Sequence, residues 1–183
     1  RKFFENSIRA AGELGAGKVL VTSGTGYFDG SNREEAWKWA ADGLWSLGEM
    51  AADYGVTLAL EVLRKDESNL VNDLPSLLEM LKELDHPAIG GMIDTIPMAL
   101  AGERPCQYLE ALGDRLVHIH FIDGAPRGHL AWGDGVLDMQ GYLSELDAYP
   151  YKGYLSLEIT DGRYFMDPSR SVEQSVEKLF AVL

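Results

Sequence analysis

The stretch LVHIHFID, residues 116–123, sets two histidines into an otherwise apolar run. A short apolar run of this kind is typical of a buried strand. Residues two apart in a strand share a face, so His118 and His120 are predicted to point the same way. Whether these imidazoles are structural or functional depends on what lies at the ends of the neighbouring strands.

Four further runs have the same character, and segments with apolar residues at helical spacing separate them. The predicted strands are KVLVTSG (18–24), TLALEV (57–62), IGGMIDT (89–95), LVHIHFID (116–123) and GYLSLEIT (153–160). Helices are predicted over about 4–14, 31–54, 74–84, 107–112, 139–148 and 169–182. Strict alternation of strands and helices indicates parallel strands joined by crossover helices, and therefore an α/β fold.

Two of the predicted helices carry local signals that can be checked residue by residue. In the helix over 31–54, either Ser31 or Asn32 is a candidate N-cap. Its predicted buried face contains Ala36, Trp39, Ala40, Leu44 and Leu47. In the helix over 74–84, Asp73 is the expected N-cap ahead of Pro75.

Five parallel strands fit either an open doubly wound sheet or part of a (β/α)8 TIM barrel. A complete barrel usually needs about 250 residues, whereas this chain has 183 and opens within a helical pattern. We therefore predict a single domain over residues 1–183 that is a TIM barrel lacking its first three βα units.

The composition excludes several classes of function. The formal net charge is −13, which argues against a broad surface for nucleic acid or anionic lipid. The single cysteine, Cys106, leaves no intramolecular disulfide and no cysteine-rich zinc site. Neither an apolar run of about 18 residues nor a secretory signal is found, so we expect a soluble, cytoplasmic protein.

Four successive strands end their apolar runs in a carboxylate or an imidazole. Alternation places each of these groups opposite the bulky aliphatic residues of its strand, on the side of the barrel interior. The residues are Glu61, Asp94, His120 and Glu158. The C-terminal ends of parallel strands meet at one mouth, where barrel enzymes keep their sites.

Three carboxylates and one imidazole favour a divalent cation of the Mn, Mg, Co or Fe type over a metal that prefers thiolates. The alternative is that each acid only marks a strand end where the chain reaches water. His118 lies one pleat deeper than His120, and we expect it to be a hydrogen-bonded neighbour of the ligands and not a ligand itself.

At these residues the sequence resembles the xylose isomerase-like superfamily of TIM-barrel sugar epimerases and isomerases. Within it, the sequence is most similar to the group of D-tagatose, D-psicose and fructoselysine 3-epimerases. The resemblance covers nearly the whole chain, as βα units 4–8. It implies one metal ion, Mn or else Mg, Co or Fe, held by Glu61 in ALEVL, Asp94 in MIDT, His120 in HIHF and Glu158 in LSLEIT.

The resemblance also implies an activity and its catalytic residues. Glu61 and Glu158 would exchange a proton at the carbon next to a ketose carbonyl, by way of a cis-enediolate. Return of the proton to the same carbon gives epimerisation, and return to the adjacent carbon gives aldose–ketose isomerisation.

Three further positions are carried over from the family with less specific motifs. Glu67 would contact the substrate, and Arg127 would hold substrate oxygens unless it is an exposed loop cation. Trp132 would either wall the substrate or pack its own loop. One departure stands out, because the epimerases have a histidine three residues after the ligand aspartate and this chain has Pro97. Substrates of the fructosamine or phosphorylated-sugar branches are therefore favoured over a free ketohexose.

Other activities use the same barrel. Dehydratases of the inosose or dehydroshikimate type are one alternative, and a non-catalytic sugar-binding domain is another. The related AP-endonuclease nucleases are disfavoured, because the later Asp-x-His that they need reads GDG at 133–135. We expect a small sugar or sugar derivative as ligand, no nucleic acid or membrane partner, and a homo-oligomer.

Overall fold

A computed structural model of the chain describes residues 2–24 and 32–183. Within these ranges helices separate successive strands, as predicted. The strands are β1 (Lys18–Thr22), β2 (Thr57–Glu61), β3 (Ile89–Asp94), β4 (Leu116–His120) and β5 (Leu155–Ser156). The helices are α1 (Lys2–Leu14), α2 (Arg33–Asp53), α3 (Leu74–Leu84), α4 (Thr95–Leu100), α5 (Pro105–Leu112), α6 (Met139–Asp147) and α7 (Pro168–Phe180).

The five strands form one parallel sheet in the order β1-β2-β3-β4-β5. Neighbours in the sequence are therefore neighbours in the sheet. That order is the wall of a (β/α)8 barrel, because an open doubly wound sheet reverses its strand order at a switch point. The predicted fold class is confirmed, and the described sheet is a five-stranded part of such a barrel.

The apolar core lies between this sheet and the helices. Leu58 and Leu60 on β2 are fully buried, as are Leu77 and Met80 on α3. The helix α3 has the predicted bounds because its N-terminus is fixed locally. The Asp73 carboxylate accepts a hydrogen bond from the backbone N–H of Ser76 at 3.0 Å, which satisfies one of the amides that a helix start leaves unpaired.

The sheet brings Asp94 and His120 side by side, since they are paired in the register of β3 and β4. The two strands approach closely at Gly90. A Cβ there would lie 2.5 Å from Val117 Cγ1 and 2.6 Å from the Arg115 carbonyl oxygen. Only glycine permits this approach, and the register shifts just beyond it, between Gly91 and Met92.

The last strand is shorter than predicted. Residues 153–160 were expected to be extended, but β5 contains only Leu155 and Ser156. Within the described chain β5 pairs on one side only, with β4. The chain leaves the sheet after Ser156, and Glu158 lies two residues beyond it.

Two helical predictions also need correction. Trp39 was placed on the buried face of α2, but it is 58% exposed and Trp37 is buried instead. The indole of Trp37 donates a hydrogen bond to the Glu83 carboxylate of α3 at 2.6 Å. Of the two candidate caps, Ser31 lies outside the described residues, and the Asn32 side chain makes no capping hydrogen bond.

The helix α4 was not predicted. It begins directly after β3, and its Pro97 lies in the first turn, where a missing N–H costs nothing. Among the helices in 2–24 and 32–183, none is long and apolar enough to cross a membrane.

Candidate metal centre

The four predicted ligands converge at the C-terminal edge of the sheet. One ligand atom each of Glu61, Asp94, His120 and Glu158 lies within 4.8 Å of all the others. The Nδ1 atom of His120 is central, at 3.1 Å from an oxygen of Glu61, 3.1 Å from an oxygen of Glu158 and 4.0 Å from Asp94 Oδ2. We call these four residues the metal group.

The chemistry of this group suits a divalent cation. Glu61, Asp94 and His120 are buried, and the Glu158 side chain is 35% exposed. His120 Nδ1 and Glu158 Oε2 are buried and make no hydrogen bond of acceptable geometry within the described part of the chain. Polar atoms in that state are costly, and a cation at their centre would satisfy both.

The pKa values in the metal group also favour a bound cation. Burial opposes a charge on His120, but the carboxylates of Glu158 and Glu61 outweigh it and raise the pKa of the imidazole to about 10. Burial raises the pKa of Asp94 to about 8, with the charge of Glu61 adding to the shift. The metal group therefore retains protons at neutral pH, on His120 and on Asp94, that a metal ion would displace.

Asp94 is held rigidly by its own helix. Its Oδ1 atom accepts the backbone N–H of Ile96 at 2.8 Å, as the N-cap of α4. That bond leaves Oδ2 directed toward His120 and the centre of the group. The unpredicted α4 thus orients one of the predicted ligands.

His129 is a site residue that the sequence reasoning missed. Its Nε2 lies 3.5 Å from Asp94 Oδ2, and its Nδ1 lies 3.4 Å from Glu158 Oε2. The hydroxyl of Thr160 contacts Nδ1 at 3.1 Å and fixes the ring. Burial lowers the pKa of His129, so the ring is neutral at pH 7 and carries both a donor and an acceptor. The sequence feature that could have identified His129 was its imidazole in the loop after β4, a strand that ends in one of the predicted ligands.

His118 shares a face with His120, as the alternation predicts. The two rings meet edge to face with their centroids 5.4 Å apart. However, the Nδ1 atom of His118 makes no hydrogen bond within the described ranges. A ring contact, in place of the expected hydrogen bond, joins it to the metal group.

The three residues that the resemblance implies as substrate contacts differ in exposure and in their hydrogen-bond and ion-pair partners. Glu67 is half-buried and pairs with the guanidinium of Arg64 at 2.8 Å. Arg127 is 63% exposed and pairs with Asp66 at 2.8 Å. Trp132 is 1% exposed and donates its indole N–H to the Phe121 carbonyl at 3.0 Å. Its geometry favours the packing role over the substrate wall.

The loop that carries His129 is organised by a buried aspartate. The Asp123 carboxylate accepts four backbone N–H groups at 2.8–3.0 Å, from residues 124, 133, 135 and 137. An antiparallel bridge between Asp123 and Leu130 then positions His129, which precedes Leu130 in the loop. The loop is therefore built to hold His129 over the metal group.

Comparison with known proteins agrees with this architecture. Residues 1–182 match the family described as xylose isomerase-like TIM barrel, and the chain belongs to that family. Fructoselysine 3-epimerase of Shigella flexneri is 29% identical over 180 residues, which are 97% of this chain and 64% of that enzyme. The chain thus spans less than two thirds of the length of this curated relative.

Two further comparisons bear on the fold and on the alternatives. A 3-dehydroshikimate dehydratase of Pseudomonas putida is 31% identical in an alignment of 170 positions that covers 86% of this chain and 26% of that enzyme. The crystal structure of a 3-keto-D-glucoside 4-epimerase from E. coli superposes with a TM-score of 0.84 at 24% identity. The superposition covers 98% of this chain and 70% of that one, and it supports the barrel fold.

Proposed function

We propose that the protein is a divalent-metal-dependent sugar epimerase that acts at the carbon next to the carbonyl of a ketose or ketose derivative. The observation that carries the proposal is the convergence of Glu61, Asp94, His120 and Glu158 within 4.8 Å of one another. The same barrel and residue set are compatible with aldose–ketose isomerisation, which differs only in the carbon that receives the proton.

Glu61, Asp94, His120 and Glu158 would hold the metal, with Mn²⁺ as the first candidate and Mg, Co or Fe as alternatives. When bound, such an ion acts as a Lewis acid on the carbonyl oxygen and makes the neighbouring carbon more acidic. The two glutamates would supply the base and the acid. Burial opposes ionisation of Glu158, but the charged imidazole of His120, 3.1 Å away, outweighs it and lowers the pKa of the Glu158 carboxyl. Glu158 is therefore ionised at neutral pH and suited to accept a proton.

The neighbouring residues would position the substrate. His129 lies within 3.5 Å of both Asp94 and Glu158, and its neutral ring would donate a hydrogen bond to a substrate hydroxyl. Glu67 lies in the loop after β2 and Arg127 lies in the same loop as His129, and we keep both as candidate substrate contacts. His118 would support His120 from beneath through their ring contact.

Similarity supports an epimerase, and it also supports one rival. The fructoselysine 3-epimerase matches 97% of this chain. The dehydroshikimate dehydratase matches 86% of it at 31% identity, so a metal-dependent dehydratase is the second candidate. The two differ in the product, because a dehydratase loses water and an epimerase gives a product of unchanged mass.

The test is incorporation of deuterium from D₂O at the carbon next to the carbonyl, with the Mn²⁺-loaded protein and a panel of ketoses and ketosamines. Glu158→Gln is expected to reduce exchange by at least about 100-fold, the usual contribution of a general base, while metal analysis still finds bound Mn²⁺. Glu177→Gln, an exposed change on α7, is the matched control. Substantial exchange in Glu158→Gln would contradict the role of this residue, and dehydrated products would favour the rival.

We also propose the place of the chain in the barrel, its cellular location and its oligomeric state. Residues 1–183 correspond to βα units 4–8 of the barrel, with the ligand strands β2 to β5 as strands five to eight. The protein works in the cytoplasm on a small sugar or sugar derivative, without nucleic acid or membrane as partner. It forms a homo-oligomer, which sedimentation would check.

A further inference from the structure

A cavity of about 180 Å³ lies at the sheet edge that carries the metal group. Three segments that each leave a ligand strand line it. Its lining residues include Arg64, Lys65 and Asp66 after β2, Pro97 and Leu100 on α4, and Arg127 after β4. The cavity therefore lies next to the metal group, because β2, β3 and β4 each end in one of the four residues of that group.

The cavity is cationic although the chain is acidic. Arg64, Lys65 and Arg127 line it against the single carboxylate of Asp66, in a chain of formal net charge −13. Arg127 pairs with Asp66 at 2.8 Å and Arg64 pairs with Glu67 at 2.8 Å. For Lys65 no ion pair is found within residues 2–24 and 32–183.

One donor in the lining lacks a hydrogen bond. The Nε atom of Arg64 is buried and has no hydrogen-bond partner within the described residues, and an oxygen of the Asp66 carboxylate lies 3.7 Å from it. A guanidinium holds its donors in a planar fork that suits carboxylate and phosphate oxygens. The guanidinium of Arg64, which is part of the lining, therefore suits an anion in the cavity.

The other wall of the cavity is apolar, formed by Pro97, Leu100 and Ala101. Pro97 offers neither a ring donor nor an N–H. The volume is below the 300–1,000 Å³ of a typical complete ligand pocket, so the cavity has room for one end of a substrate and not for a whole sugar with its substituent.

We infer that this cavity binds an anionic end group, a phosphate or a carboxylate, on a ketose whose carbonyl end lies at the metal group. The inference rests on the proposed function and names its substrate class. Arg64, Lys65 and Arg127 are the residues that would recognise the anion, and uncharged ketoses would leave the cavity without an anion to hold.

Binding of small anions tests the inference without any turnover. Inorganic phosphate and acetate are titrated calorimetrically into the whole protein, with and without Mn²⁺. At least one is expected to bind in both conditions, and the tighter of the two identifies the end group. Lys65→Gln and Arg127→Gln should each weaken that binding about tenfold, because each removes a charge-assisted contact. Arg9→Gln, an exposed change on α1, should leave it unchanged.

Two results would overturn the inference. One is that neither anion binds at tens of millimolar, although circular dichroism shows a folded protein. The other is that binding needs Mn²⁺ and ignores both substitutions, which would place the anion on the metal. Failure of the deuterium-exchange experiment is a separate outcome, because these titrations require no catalysis.

Discussion

Loading the metal group with Mn²⁺ at pH 7 is expected to release about two protons. In the metal-free protein His120 has a pKa of about 10 and Asp94 has a pKa of about 8. Both groups are therefore mainly protonated at pH 7. A metal ligand must be deprotonated, so binding of the ion displaces one proton from each.

The free-energy cost follows from these two values. One pKa unit corresponds to about 1.4 kcal/mol, so deprotonating His120 at pH 7 costs about 4 kcal/mol and deprotonating Asp94 costs about 1.4 kcal/mol. Both groups bind protons below pH 8, where each unit of falling pH should weaken apparent metal affinity about 100-fold. Between pH 8 and pH 10 only His120 still titrates, and the dependence should drop to about tenfold per unit.

Calorimetric titration of Mn²⁺ in two buffers of different ionisation enthalpy measures the number of protons released. His120→Asn should reduce that number to about one at pH 7, because its amide carries no titratable proton. A release near zero in the unsubstituted protein, or an affinity that is constant from pH 6 to pH 8, would refute the assigned ionisation of the metal group.

Three further predictions concern stability and are measured by urea unfolding. Asp123→Asn should lower the free energy of unfolding by about 2–3 kcal/mol, because the hydrogen bonds that backbone amides donate to its charged carboxylate would weaken. The exposed Asp147→Asn should change the free energy of unfolding little, and equal effects of the two substitutions would contradict the argument. Gly90→Ala should cost at least about 1–3 kcal/mol through overpacking against β4, whereas Gly43→Ala, in open space on α2, should add about 0.5–1 kcal/mol. Trp132→Phe should lower the free energy of unfolding by about 1–3 kcal/mol by leaving the Phe121 carbonyl unpaired, and it should leave KM for the substrate unchanged. A raised KM at unchanged stability would instead support Trp132 as a wall of the substrate site.

Much of the site was predictable because its order follows from local patterns. Glu61, Asp94 and His120 each close a strand, and the ends of parallel strands meet at one edge whatever the details of packing. The bounds of α3 were predictable for a similar reason, since Asp73 and Ser76 cap the helix within four residues of sequence. Alternation likewise placed His118 and His120 on one face.

Local sequence patterns account for the α/β alternation, the metal group and the edge at which its members meet, because strand period and strand ends are local properties. Which neighbours reach that group depends on how the loops and helices pack. His129 contacts Asp94 and Glu158 only because the loop after β4 folds back onto Asp123. Contacts of this kind join residues far apart in the chain, and no periodicity records them.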